Sequence, residues 1–192
     1  SDLPLICFNY ARWTNLAYPL ETIIRLAEKI PSLKAIKDWT AEPMEHERNI
    51  RTLQSLTRPI NVLTTNSAWL MASLSMGANG LLSGAGSIIP DLQVAMFQAI
   101  QRGDLNTARA LNDRMQPITQ AVYAPPFLDM HNRMKEAAVL LGRQDRAVVR
   151  PPLVKIPESE IQRIDAALKQ GRISHDGADE LDLVAMTGLA AE

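Results

Sequence analysis

A lysine closes the apolar run Leu33–Lys34–Ala35–Ile36–Lys37, and Asp38 and Trp39 follow it instead of a turn residue. If the run is a strand, side chains two apart share a face, which sets Lys37 beside Leu33 and Ala35. An amine held against apolar walls loses hydration, which disfavours the ammonium form and lowers its pKa. The free amine is the nucleophile required to form an imine with a carbonyl compound. The simpler reading of the same spacing is a lysine that ends a strand and stretches its head group into solvent. Spacing alone leaves both open.

The other chemistry-bearing residues are more dispersed. His46, His131 and His175 lie far apart, without HxH or HxxxH spacing or a cysteine partner, so no metal site is expected. Glu45–Arg48, with His46 inside it, reads as a solvated helix face. Asp129, His131 and Glu136 flank one helix start, where capping and surface pairing account for them. Trp13, Trp39 and Trp69 each follow a strand candidate closely and either line a pocket or pack into the core. Cys7, the single cysteine, sits in an apolar run as a small buried hydrophobe. One cysteine permits no disulfide within the chain, which suits a reducing, cytoplasmic compartment.

The elements that must position these residues alternate. Strand candidates at "LPLICFN", "SLKAIK", "PINVLTT" and "GLLSG" are each followed by a helical pattern. Ile23, Ile24, Ala27 and Ile30 form the stripe of the first helix, with Pro19 suited to its first turn. Glu45 and Glu47 complement the dipole at the start of the second. Ser67 is the expected N-cap of the third, and Gly77 its stop. Successive strand–helix units imply parallel strands joined by crossovers, hence an α/β fold. Beyond residue 103 the pattern is helical only. Ala108, Leu111, Met115 and Ile118 mark one buried stripe, and Ile161, Ile164 and Leu168 another. Residues 172–192 show weak periodicity and read as a tail, partly disordered or a small appendage. The first strand lacks the glycine-rich turn of a dinucleotide site. "GANGLLSGAG" has neither that spacing nor a Walker spacing, so a helix stop followed by a tight turn explains it.

Composition narrows the function classes. The chain has 192 residues, 46% of them hydrophobic, with a formal net charge of −1. That is globular composition without the basic footprint of a nucleic-acid or anionic-membrane binder. No run approaches the roughly 20 apolar residues of a membrane span, and the N-terminus lacks the form of a signal peptide.

"LICFNYARWTNLAYPLETIIRLAEKIPSLKAIKDWT" resembles the fifth and sixth strand region of the dihydrodipicolinate synthase/N-acetylneuraminate lyase superfamily. The family pattern there reads roughly YNxPxRTG, PET…LA and GIKE. "INVLTTNSAWLMASLSMGANGLLSGAGSIIPDLQVAMFQAIQRGDLNTARALNDRMQPI" is similar to its seventh and eighth strands and the helices after them, and "VRPPLVKIPESEIQRIDAAL" to its closing segment. The likeness runs from Leu3 to Gly171. It implies a (β/α)8 TIM barrel of which this chain supplies the last four βα units, followed by a C-terminal helical segment. The expected divisions are residues 1–103, the second half of the barrel; 104–171, the helical domain; and 172–192, the tail.

The resemblance also implies class I chemistry on pyruvate or a related 2-oxo acid, with Lys37 as the Schiff-base lysine. The lysine itself supplies the electron sink, so no cofactor is implied, and the family suggests a homo-oligomer, a dimer or tetramer. Leu82 matches a position lining the pyruvate pocket, and Thr65 falls on a glycine of the strand-seven motif. Several positions depart from the pattern. The family's catalytic tyrosine falls on Phe8, so Tyr10, two residues on, is the expected substitute. The arginine that receives a second substrate's carboxylate falls on Trp13, while Thr14 is retained. Phe8, Tyr10, Trp13, Thr14, Thr65 and Leu82 are therefore expected around Lys37. A divergent aldolase or dehydratase fits better than the lysine-biosynthetic synthase; the alternative is a catalytically silent binding or assembly member of the fold. An eightfold barrel needs about 250 residues. The chain is therefore read as part of a longer protein, with paired half-barrels and a retained non-catalytic half as the other readings.

Overall fold

β1 (Leu5–Asn9), β2 (Leu33–Asp38), β3 (Asn61–Thr64) and β4 (Gly80–Leu81) pair side by side in sequence order, all parallel. Parallel neighbours cannot be joined by a tight turn. The crossovers are α1 (Leu20–Lys29), α2 (Pro43–Gln54), and a 3-10 turn at Ser67–Trp69 running into α3 (Leu70–Ser75). The structure, a computed structural model, describes residues 3–175 and 177–178. The chain divides into two compact units, Ser1–Ser83 and Gly84–Glu192. The expected limit at residue 103 follows the change from alternating to helical sequence and is not a limit of these units.

In the first unit, β2 is buried on both faces. Leu33 and Ala35 are buried on one side and Ile36 on the other, which is why its sequence reads as a continuous apolar run. Ile23 and Ala27 of α1, Ile50 and Leu53 of α2, and Leu70 and Leu74 of α3 complete the core with Ile60 and Val62. α2 starts at Pro43 because the Glu42 carboxylate accepts from the Met44 and Glu45 amides at 3.3 and 2.7 Å. The chain leaves α3 through Gly77, whose φ of +102° a side chain would strain. Ser67 does not cap the third helix as expected. It lies inside the 3-10 turn, and its Oγ meets Ser83 Oγ at 2.5 Å.

The second unit is helical: α4 (Pro90–Gln101), α5 (Leu105–Val122), α6 (Met130–Leu140) and α7 (Glu158–Gln170). The α5 stripe, Ala108, Leu111, Met115 and Ile118, is buried as its spacing predicts. On α7, Ile164 and Leu168 are buried, while Ile161 is only half-buried. Glu136 is not the surface residue expected. The α6 face carrying it also carries Asn132, Arg133 and Ala137 and turns inward, leaving Glu136 buried with Oε1 unpartnered. Asp129 stands at the N-terminal end of α6 without a side-chain capping bond.

Arg133 is fully buried. Its guanidinium donates to the carbonyls of Val122, Ala124, Pro125 and Pro126, and to Glu160 Oε2 at 2.6 Å. It thus satisfies the Val122 carbonyl, which the end of α5 leaves without a helical partner, and three carbonyls of the segment that follows. Past α7, β5 (Ile173–Ser174) and β6 (Gly177–Ala178) pair antiparallel; the rest of the expected tail lies outside the described residues. Among the described residues, no helix is long and apolar enough to cross a membrane.

Candidate active site

Strand register assembles the site. Phe8 pairs with Lys37 and Lys37 with Leu63, so these side chains form one row on one face of the sheet. The next row, Asn9, Asp38 and Thr64, points to the opposite face. The ladder then runs one step past the strand ends. The Trp39 amide donates to the Asn9 carbonyl at 2.9 Å, Thr65 to Asp38 at 3.1 Å and Leu82 to Thr64 at 2.8 Å. Alternation therefore returns Tyr10, Trp39, Thr65 and Leu82 to the Lys37 side. The structure brings five expected site residues, Phe8, Tyr10, Lys37, Thr65 and Leu82, to one end and one face of the sheet.

Lys37 is half-buried, with Nζ 4.2 Å from the centroid of the Phe8 ring. Burial pushes its pKa below the ordinary 10.5, whereas the negative face of the Phe8 ring favours the cation. Phe8 packs on Tyr10 at 4.0 Å between centroids, and Tyr10 meets the edge of Trp39 at 5.7 Å. Trp13 extends this aromatic wall, 5.5 Å from Trp39 and largely exposed.

Two neighbours of Trp13 are otherwise engaged. Arg12 pairs with Glu45 through Nε and Nη2, at 2.9 to 3.0 Å. The Thr14 hydroxyl donates to the Ala11 carbonyl at 2.6 Å and accepts from the Leu16 amide at 3.2 Å, so it serves its own turn. Trp69 belongs to the other side, its ring 5.4 Å from His46 and perpendicular to it. Cys7 is half-buried, less enclosed than expected, and burial raises its thiol pKa.

Sequence reasoning missed what lies behind Lys37. His46 is not on a solvated face; it is completely buried. Its Nδ1 meets Asp38 Oδ2 at 2.6 Å and its Nε2 meets Ser73 Oγ at 2.6 Å. Asn9 and Asn49 donate to the same Asp38 carboxylate at 3.3 to 3.4 Å. A signal was present. His46 and Asn49 extend the stripe of Ile50 and Leu53 at helical spacing, so the buried face of α2 begins with them.

The chain matches the dihydrodipicolinate synthetase family over residues 1–171. It is 29% identical over 174 residues to a 4-hydroxy-tetrahydrodipicolinate synthase of Rhizobium meliloti, covering 90% of this chain and 57% of that protein. It is 27% identical over 169 residues to a probable 2-dehydro-3-deoxy-D-pentonate aldolase of Escherichia coli K12, covering 86% and 54%. Among solved structures, a prophage protein of the dihydrodipicolinic acid synthase family from E. coli K12, in complex with pyruvate, is similar with a TM-score of 0.80. The two are 24% identical, over 90% of this chain and 57% of that one. The synthase of Thermotoga maritima is similar with a TM-score of 0.79 at 21% identity, over 89% and 57%. The chain thus spans just over half the length of these relatives. Parallel strands in sequence order, a lysine on the second of them and a match over residues 1–171 agree: the chain belongs to the dihydrodipicolinate synthetase family.

Proposed function

We propose that the chain carries the lysine half of a class I lyase site, acting on pyruvate or a related 2-oxo acid. The observation that carries this is Lys37, a half-buried amine of lowered pKa at the carboxyl end of its strand, where barrel enzymes hold their chemistry. The Lys37 amine adds to the keto carbon and water leaves, giving an iminium. Loss of a C3 proton converts it to an enamine, which forms a C–C bond to an aldehyde. The reverse path breaks that bond, and elimination of water from a hydroxylated chain uses the same iminium. No cofactor is required in this scheme.

Four parallel strands with their crossovers, in a chain covering 57% of its solved relatives, support a further part of the reading: these are the last four βα units of an eightfold barrel. The complete protein is proposed to be a homo-oligomer. Tyr10, packed against Phe8, is the proposed proton-transfer group, because Phe8 has no hydroxyl. Arg12 is held by Glu45 and position 13 is tryptophan. A second substrate with a carboxylate therefore has no prepared cation there, which favours an aldolase or dehydratase over the amino-aldehyde synthase.

Incubation with pyruvate and borohydride, followed by peptide mass analysis, is expected to find a reduced pyruvyl adduct on Lys37. No adduct with pyruvate or with longer 2-oxo acids removes this function. Phe8 supports a second reading, a silent member of the fold, and turnover decides between them. Tyr10→Phe is expected to lower turnover by about a hundredfold, on the scale of a lost general acid–base, while adduct formation persists. Unchanged turnover would exclude Tyr10 from proton transfer.

A further inference from the structure

Asp38, His46 and Ser73 stand in the order of a hydrolytic triad, but all three are fully buried. No substrate carbonyl reaches Ser73 Oγ, so nucleophilic catalysis is not its use. The arrangement has another property. Asp38 follows Lys37 directly on β2, and strand alternation sends the two side chains to opposite faces. Whatever holds the Asp38 carboxylate therefore holds the peptide from which Lys37 projects.

We propose that the Asp38–His46–Ser73 chain is a brace that positions the Lys37 amine, with His46 as a positioning residue for the imine chemistry; this rests on the function proposed above. Three observations carry it. The bonds at both ends of His46 are 2.6 Å. The partners come from three elements other than β2: Asn9 from β1, His46 and Asn49 from α2, Ser73 from α3. The network thereby ties the carboxyl end of β2 to its neighbouring strand and to two helices. Finally, both ring nitrogens of His46 have a buried polar partner, Asp38 Oδ2 on one side and Ser73 Oγ on the other. Fully satisfied buried networks of this kind rigidify what they hold. A misplacement of about 1 Å at a reacting group can cost a hundredfold in rate, so rigidity at this peptide has a catalytic consequence.

The test measures Lys37 itself in the full chain. Acetylation by acetic anhydride, followed against pH by peptide mass analysis, reads the nucleophilicity of the amine without any substrate. Pyruvate–borohydride trapping is measured in parallel. In folded His46→Leu the acetylation midpoint is expected to move to higher pH, because a loosened strand end admits water to the amine, and trapping slows about ten- to a hundredfold. His46→Asn keeps an N–H near the Nδ1 position and is expected to recover most of the rate, which a loss of general stability does not explain. Ser73→Ala is milder, with a smaller shift in the same direction, and carries the test if His46→Leu does not fold. A midpoint and trapping rate equal to wild type in folded variants overturn the brace and leave the proposed function standing. A wild type that traps no 2-oxo acid, with variants that still shift the Lys37 midpoint, overturns the function and leaves the positioning of the amine established.

Discussion

Lys37→Ala is expected to abolish the pyruvyl adduct and to lower turnover by at least roughly a thousandfold, on the scale of removing a covalent nucleophile. Lys37→Arg is expected to fail equally, because a guanidinium keeps the charge but forms no imine under these conditions. Lys34 provides the internal control. It lies on the same strand but is exposed, and should remain unmodified by pyruvate and borohydride. Because burial lowers the Lys37 pKa, the free amine persists to lower pH than on an ordinary lysine. Adduct formation should therefore decline only below that lowered value. Adduct on Lys34 with none on Lys37 would assign the chemistry elsewhere.

The same shift makes a prediction about stability, with the same direction of pH dependence as a carboxylate of lowered pKa. In the window between the lowered pKa and 10.5, the unfolded chain binds the proton that the folded chain has released. Stability attributable to Lys37 therefore rises with pH through that window and is least below the lowered pKa. Lys37→Met removes this dependence. Urea denaturation should find the variant at least as stable as wild type near neutrality, which separates lost chemistry from a lost fold.

Arg133→Met carries the largest expected effect on stability, about 3–5 kcal/mol, the usual result of removing one partner from a buried charged network. Methionine retains much of the side-chain volume, so the loss reports the hydrogen bonds and not a cavity. The carbonyls of Val122, Ala124, Pro125 and Pro126 lose their donor, and Glu160 loses its buried partner. Arg133→Lys should not restore stability, since one ammonium cannot reproduce the planar fork. A urea midpoint within error of wild type for Arg133→Met would show that the network contributes no net stability.

The parallel α/β architecture was legible because its signals are local. Apolar runs of strand length alternate with stripes at helical spacing, and neither depends on distant residues. The lysine was legible in the same way, as an amine at the end of an apolar run, although spacing alone favoured a surface residue. Its depressed pKa and the Phe8 ring against it depend on the neighbouring strand. Register decided that Phe8, Lys37 and Leu63 share a row, and carried Tyr10, Thr65 and Leu82 to the same face.

The polar residues were the hardest to place. His46 and Glu136 each occur among charged neighbours and read individually as surface residues, yet both are buried. Single-residue polarity predicts exposure because an unpaired buried polar group is costly. That cost vanishes once a partner is supplied from another element, as Asp38 and Ser73 are for His46. Apolar periodicity can be read along the chain because burial of an apolar group requires only a place in the core. Burial of a polar group requires a specific partner, and for His46 tertiary packing brings Asp38 and Ser73 within reach.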